Sequence, residues 1–182
     1  MIELVRPHPS FHASWVEAAA EFAALGEYMH GSGLAPDDLD DDEVVGTLFR
    51  PGHLSDRTRF EAFCTEMAQR DQVIPPGMVP DSKLFIVEGE RFLGSLSLRH
   101  GLNDWLLVEG GHIGYSVRPA DRRRGVATEA LGLALDLARG LGLDRVLLTC
   151  DDTNIASAGT IEGAGGRLED IRHGKRRYWI AL

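Results

Sequence analysis

The sequence has few cysteines and no long apolar run. Its two cysteines, Cys64 and Cys150, form no Cys-x-x-Cys pair, which excludes a disulfide framework and a cysteine zinc site and fits a reducing compartment. No apolar segment approaches the roughly 20 residues of a membrane-spanning helix. The first residues also lack the basic start and apolar stretch of a secretory signal. We therefore expect a cytoplasmic, soluble protein without a membrane partner.

Basic residues are outnumbered: 19 lysines and arginines stand against 28 aspartates and glutamates, for a net charge of −9. This excess argues against a nucleic-acid partner, because phosphate contacts dominate that kind of affinity. Many of the acidic residues lie in the segment 37–43. The segment is either a solvated loop and helix start or a surface that attracts a cationic acceptor such as an amine, and the sequence leaves both interpretations open.

The length of 182 residues suits one domain over 1–182. Its first 80 residues are mostly helical, and residues 83–182 carry most of the strands. Hydrophobic periodicity and turn residues predict strands at 2–5, 83–88, 91–99, 112–117, 145–150, 167–172 and 176–181, and helices at 10–25, 42–49, 55–70, 125–141 and 154–163. Ser55 is the expected N-cap of the third helix. This order predicts an α+β (mixed α/β) domain with one parallel crossover in its middle.

The most informative segment joins the strand at 112–117 to the helix at 125–141. Pro119 ends the strand, the run 122–124 contains three arginines, and Gly125 opens the helix. The first turn of a helix has unpaired N–H groups and a partial positive charge, so it binds anions readily. A glycine there lets the backbone approach a ligand closely. The segment therefore indicates a pyrophosphate site, with a solvated basic turn as the alternative.

Three short motifs resemble those of one superfamily. The Arg-x-x-Gly-x-Ala spacing of residues 122–127 resembles the Gln/Arg-x-x-Gly-x-Gly/Ala signature of the GNAT N-acetyltransferases. Residues 154–157 resemble the family's Asn-x-x-Ser/Ala segment, and residues 161–166 resemble its Ile-Glu-x-x-Gly ending. The resemblance covers about 83–182. It implies a central, mostly antiparallel twisted sheet with a splayed parallel pair in its middle, flanked by helices.

The resemblance also implies acetyl-CoA as co-substrate, without a metal. Backbone N–H groups of residues 122–128 would hold the pyrophosphate, the strand before them would pair with the pantetheine arm, and Asn154 would bind that arm or a water beside it. The implied cofactor-binding residues are Ser116, Val117, Arg118, Arg122, Arg123, Arg124, Gly125, Val126, Ala127, Thr128, Asn154 and Ser157. The partner would be an amine acceptor, and a homodimer is compatible with the family.

The implied reaction is direct attack of a primary amine, on a small molecule, peptide or protein, upon the thioester in a ternary complex. Many members carry a glutamate base on the central strand, where this chain has Gly111 or His112. Many carry a tyrosine acid where this chain has Ile161. The candidates for proton transfer are therefore Glu109, His112, Tyr115 and Ser157. A structural role for His112, a solvated role for Glu109 and a packing role for Tyr115 stay open, as does a catalytically silent acyl-CoA-binding sensor or regulatory module.

Overall fold

The computed structural model describes residues 1–34 and 49–182; the acidic segment 37–43 and nearly all of the helix expected at 42–49 lie outside them. The strands are β1 (Glu3–Val5), β2 (Asp81–Glu88), β3 (Arg91–Arg99), β4 (Ile113–Val117), β5 (Arg145–Asp151), β6 (Arg167–Arg172) and β7 (Lys175–Ala181). The α-helices are α1 (His12–Ala24), α2 (Arg57–Met67), α3 (Val126–Gly140) and α4 (Ile155–Gly163). Short 3-10 segments at Pro9–Phe11, Pro51–His53 and Pro119–Asp121 and a π-helical turn at Leu106–Gly110 complete the described elements.

Two antiparallel sheets form the frame, with strand orders β1-β2-β3-β4 and β5-β7-β6. They meet where the His112 N–H donates to the Leu147 carbonyl oxygen at 2.6 Å. Beyond that contact, residues 113–115 of β4 and 148–151 of β5 line one cavity. The two strands therefore run in the same direction from the contact and diverge. This arrangement confirms the predicted mixed fold, including its splayed pair.

Apolar side chains cover both faces of the first sheet. On one face, Ala130, Leu131 and Ala134 of α3 pack into a core with strand residues such as Ile86. On the other face, the helical spacing of α1 places Trp15 among phenylalanines that include Phe60, Phe63 and Phe85. Because helices cover both faces, α3 is held firmly at the point where its first turn follows β4.

The structure corrects the expected cap of α2 and several element ends, and it adds short helical segments that were not expected. Asp56, rather than Ser55, caps α2, since its Oδ1 accepts from the Arg59 N–H at 2.9 Å while the Ser55 hydroxyl donates to the Gly52 carbonyl. Helix α3 ends one residue earlier than expected, and helix α2 ends at Met67 rather than at 70. The π-helical turn was not predicted, because the segment between the glycines at 101 and 110 has no helical periodicity.

Candidate functional site

A cavity of about 400 Å³ opens between β4 and β5. Ile113, Gly114 and Tyr115 line it from β4, residues 148–151 line it from β5, and the first turn of α4 closes one end. Close to the point where the sheets meet, Gly111 has φ +63°, and a Cβ added there would lie 2.5 Å from the Leu147 carbonyl oxygen. A side chain at position 111 would therefore force the two strands apart.

The edge of β4 that faces the cavity has free main-chain groups. Arg99 N–H donates to the His112 carbonyl at 2.8 Å, and Arg118 N–H donates to the Leu93 carbonyl at 2.7 Å. Bonded and non-bonded pairs alternate along an antiparallel ladder. In the register of β3 and β4, His112 and Arg118 are bonded positions, and Tyr115 lies three residues from each, at a non-bonded position. Its N–H and C=O groups therefore point away from β3 and toward β5.

After β4 the chain makes a turn whose backbone donors have no internal acceptor. Arg123 has φ 64° and Gly125, the N-cap of α3, has φ 82°. Within the described part of the chain, nothing accepts a hydrogen bond from the N–H groups of residues 123–128, whereas the Arg122 N–H, which was expected among the free donors, donates to the Pro119 carbonyl at 3.3 Å. Successive N–H groups in a left-handed turn at a helix start form an anion-binding concavity. A Cβ added to Gly125 would meet no atom within 4 Å, so the space above it is open.

Carboxylates neutralise most of the arginines around this turn. Arg118 is buried and pairs with Glu17 and Glu21 of α1 at 3.0 and 2.7 Å. Arg122 pairs with Glu27, and Arg124 pairs with Asp121 and Glu88. Arg123 is exposed and has no partner among the described residues. The cationic character of the turn therefore comes from its main chain and Arg123, while Arg118 fixes the turn against α1.

The other residues implied for cofactor binding lie on either side of this turn. The Ser116 hydroxyl donates to the His30 carbonyl at 2.8 Å, on the face of β4 opposite α3. Val117 packs against the α3 side, and its carbonyl accepts from Arg122 Nε at 3.1 Å. Val126 is buried in the core, Ala127 is half-buried and Thr128 is exposed. These side chains hold or flank the turn, and its main-chain N–H groups remain the candidate anion-binding groups.

Tyr115 brings an unpartnered hydroxyl to the cavity. Its oxygen is buried and makes no hydrogen bond within the described part of the chain. Burial raises the pKa of Tyr115, and the nearby hydroxyls of Ser157 and Thr160 offset the increase only in part. Ser157 and Ile161 of α4 line the same cavity. Tyr115 of β4 thus approaches α4, the helix on which this chain has Ile161 where many family members have a tyrosine.

Asn154 and Glu109 also lie in the cavity wall. Asn154 caps α4, with its Oδ1 accepting from the Ser157 N–H at 3.0 Å, so its amide nitrogen keeps two donors. Glu109 belongs to the π-helical turn, where its carbonyl accepts from the Thr149 hydroxyl at 2.6 Å. Its carboxylate is 27% exposed and lies 3.4 Å from His173 of the β6–β7 turn. Glu109 therefore combines contact with the cavity and access to water.

Several cavity residues were missed in the sequence. Tyr28 and His30 follow α1, Trp105 precedes the π-helical turn, and Arg99 ends β3. The alternation of serines and Arg99 with leucines in β3 was a usable signal for a polar face. The contributions of Tyr28, His30 and Trp105 depend on how irregular segments pack, and no local pattern marks them.

Residues 39–167, more than half of the chain, match the family model described as the acetyltransferase (GNAT) domain. The chain belongs to the GNAT acetyltransferase family. This confirms the family resemblance, and the acetyl-CoA expectation agrees with the ligands of solved relatives. No curated protein matches this acetyltransferase significantly.

Solved structures share its fold. Mycobacterium smegmatis RimJ in complex with CoA-disulfide has a TM-score of 0.69 and 18% identity, covering 100% of this chain and 82% of its own. The microcin C7 self-immunity acetyltransferase MccE, in complex with acetyl-CoA and AMP, has a TM-score of 0.63 and 15% identity, covering 100% of this chain and 92% of its own. An acetyltransferase from Salmonella typhimurium, which modifies the N-terminal serine of 50S ribosomal subunit protein L7/L12, has a TM-score of 0.61 and 15% identity, covering 100% of this chain and 95% of its own.

In residues 1–34 and 49–182, no group of three or more histidine, cysteine, aspartate or glutamate side chains is arranged to hold a metal ion. No helix in these ranges is long and apolar enough to cross a membrane.

His112 has a structural position in this acetyltransferase. Its Nδ1 accepts from the Leu147 N–H at 2.9 Å, its ring packs near Trp179, and it is not among the residues that line the cavity. Burial, followed by the nearby charges of Arg99 and Arg145, lowers its pKa from 6.5 to about 4. The geometry therefore favours the structural interpretation of His112 over the catalytic one.

Because the folded protein keeps His112 neutral, its contribution to stability depends on pH. The contribution is complete above the unfolded-state pKa of 6.5 and is lost as pH falls toward about 4. Asparagine at this position can still accept from Leu147 but does not titrate. Between pH 7 and 4 we expect wild-type unfolding free energy to fall more than that of His112→Asn, by roughly 2 to 3 kcal/mol. Urea unfolding at several pH values measures both curves, and parallel curves would refute the assignment.

Proposed function

We propose that this acetyltransferase transfers the acetyl group of acetyl-CoA to a primary amine of a small molecule, peptide or protein in a ternary complex. One observation carries the proposal: unpaired N–H groups at residues 123–128 follow β4 in a turn with open space above Gly125. Those donors suit a diphosphate.

The remaining cofactor contacts follow from the position of that turn. The free N–H and C=O groups of Tyr115 suit an amide-bearing arm laid along β4, and the Asn154 amide nitrogen can donate to the same arm from α4. A pyrophosphate at the turn and an arm along β4 would direct the thioester into the cavity. Main-chain N–H groups on this edge could then stabilise the developing oxyanion.

The cavity residues also suggest how the protons move. The amine nitrogen forms a bond to the acetyl carbonyl carbon, and the bond from that carbon to sulfur breaks. Glu109 takes the amine proton directly or through one water, because the residue lines the cavity and its side chain is partly exposed to solvent. Tyr115 gives its proton to the departing sulfur, since its hydroxyl is buried and makes no hydrogen bond within the described residues, although the Ser157 and Thr160 hydroxyls lie nearby. Ser157, beside Tyr115, is the second candidate donor.

A catalytically silent acyl-CoA-binding sensor is the competing function. Two differences from the family pattern favour it: by the sequence resemblance, Gly111 or His112 falls where many members have a glutamate base, and Ile161 falls where many have a tyrosine acid. The cofactor site would be the same in both cases. The two functions differ in whether the Glu109 and Tyr115 side chains replace the missing groups.

Thiol release from acetyl-CoA, measured with a panel of primary amines, separates these functions. We expect amine-dependent release by wild-type protein and a fall in kcat of about 100-fold or more in Glu109→Gln, as expected for a lost general base. Tyr115→Phe should lower kcat and remove the alkaline limb of its pH profile, with acetyl-CoA affinity nearly unchanged. Glu90→Gln is the control, because it removes an exposed carboxylate in the turn between β2 and β3, outside the cavity. Acetyl-CoA binding without release for any amine would favour the sensor, and unchanged rates in both variants would refute the assigned residues.

A further inference from the structure

Arg99 is a cation on the cavity wall without a carboxylate partner. Its Nη1 donates to the carbonyl oxygens of Gly110 and Gly111 at 2.9 and 3.1 Å. Among the described residues, none accepts from its Nε or Nη2, and no carboxylate oxygen lies within 4 Å of its nitrogens. A Cβ added to Gly114 would lie 3.8 and 3.9 Å from Nη1 and Nη2. The guanidinium therefore lies over the middle of β4, with one donor edge unused.

In the part of the chain that the structure describes, other buried arginines have carboxylate partners, unlike Arg99. Arg118 and Arg177 have side chains 4% and 5% exposed; Arg118 pairs with three carboxylates and Arg177 with two. Burial lowers the pKa of Arg99, and the charge of Asp81 opposes the decrease without a direct contact. A partly buried cation is stabilised when an anion reaches it. Here the cavity provides the route for such an anion.

The charges around the cavity limit the kind of anion. Asp151 and Lys175 pair with each other, and Glu109 stands at the other side. A singly charged carboxylate fits this nearly balanced set better than a phosphate dianion does. The Nε and Nη2 edge of a guanidinium also matches the two oxygens of a carboxylate.

We propose that Arg99 binds a carboxylate of the acceptor, so that the preferred substrates are small amino carboxylic acids. The inference rests on the proposed function, which places the reacting thioester beside β4. The Arg99 guanidinium lies over Gly114, which also belongs to β4. An acceptor whose carboxylate binds Arg99 would therefore need its attacking amine only a few bonds away from that carboxylate. The α-amine of a free amino acid has this spacing, whereas in a peptide the neighbouring carboxylate has become an amide.

The test compares each of a set of L-amino acids with its carboxamide in the thiol-release assay. Wild-type protein should prefer the acids in kcat/KM by about 10- to 100-fold, the range of a hydrogen bond to a charged group. Arg99→Gln should remove that preference by raising KM for the acids, because glutamine can still donate to the Gly110 carbonyl but carries no charge. Arg145→Gln, an arginine stacked on Trp179 outside the cavity, should keep it. Equal use of acids and amides by wild-type protein, which needs no variant, would overturn the inference.

Failure of the proposed function gives a different result. In that case neither the amino acids nor their carboxamides support thiol release. Calorimetric titration with N-acetyl-L-alanine and its carboxamide, in the presence of CoA, then tests Arg99 alone. Binding of the acid by wild-type protein but not by Arg99→Gln supports the carboxylate site. Equal binding of acid and amide, or none, refutes it.

Discussion

Gly125→Asp should weaken acetyl-CoA binding by about 100-fold, whereas Gly125→Asn should weaken it by less than about tenfold. Both side chains tolerate the left-handed backbone that φ 82° requires, and both point into open space. They differ only in charge. A carboxylate about 4 Å from a phosphate is unfavourable by about 1 to 4 kcal/mol, depending on solvent exposure.

Calorimetry on the two variants measures this difference, and their melting temperatures show whether the fold is equally intact. Added salt should narrow the gap between aspartate and asparagine, because exposed charges are screened. Equal affinities at low salt would mean that the phosphates lie elsewhere, and the cofactor site proposed at residues 123–128 would be lost.

Arg118→Gln should lower the free energy of unfolding by about 2 to 3 kcal/mol, because it removes charge-assisted hydrogen bonds of a buried guanidinium, while its partners Glu17 and Glu21 are 64% and 28% exposed and can be hydrated. In a domain of this size that corresponds to a decrease in melting temperature of roughly 5 to 10 °C. The large effect has two causes. The guanidinium is 4% exposed and holds Glu21 and Glu17, and the Glu21 carboxylate also accepts from the Ala120 N–H of the turn.

Arg122→Gln is the matched control, since its ion pair with Glu27 is exposed on both sides and should contribute about 0 to 1 kcal/mol. Hydrogen bonding to Arg118 lowers the pKa of Glu21. Its stabilising effect is therefore present above the ordinary glutamate pKa and is lost as pH falls through the lowered value. Arg118→Gln should show less of this acid-side loss than wild-type protein. Similar stabilities of the two variants at pH 7 would contradict the role of Arg118 in fixing the turn.

The regular elements could be predicted because their local patterns agree with their packing. Strand β3 and strand β6 have the expected bounds, since alternation and turn glycines define them. The turn before α3 was predictable as a turn because proline, arginine and glycine mark it in order, and its role as an anion site stays a prediction. The sequence could not show that Arg118, Arg122 and Arg124 are paired, because their partners lie up to 101 residues away in the chain.

The candidate acceptor site was far less predictable. Trp105 and Glu109 reach the cavity through a π-helical turn held by the Asn103 side chain, whose Oδ1 accepts from the Leu106 N–H at 2.9 Å. That geometry has no hydrophobic period. Tyr28 and His30 arrive from a segment fixed by Gly31, where an added Cβ would lie 2.5 Å from the Gly114 carbonyl oxygen. Such contacts between distant irregular segments exist only in the folded chain.

The tight contact at Gly111 has a consequence for redesign. A glutamate introduced at position 111 would clash with the Leu147 carbonyl oxygen and separate β4 from β5. A carboxylate can be supplied to the cavity without this clash from the neighbouring π-helical turn, which carries Glu109. If Glu109 is the proton acceptor, as proposed, changes in the length of that turn should alter which acceptors are deprotonated while leaving the strands in place.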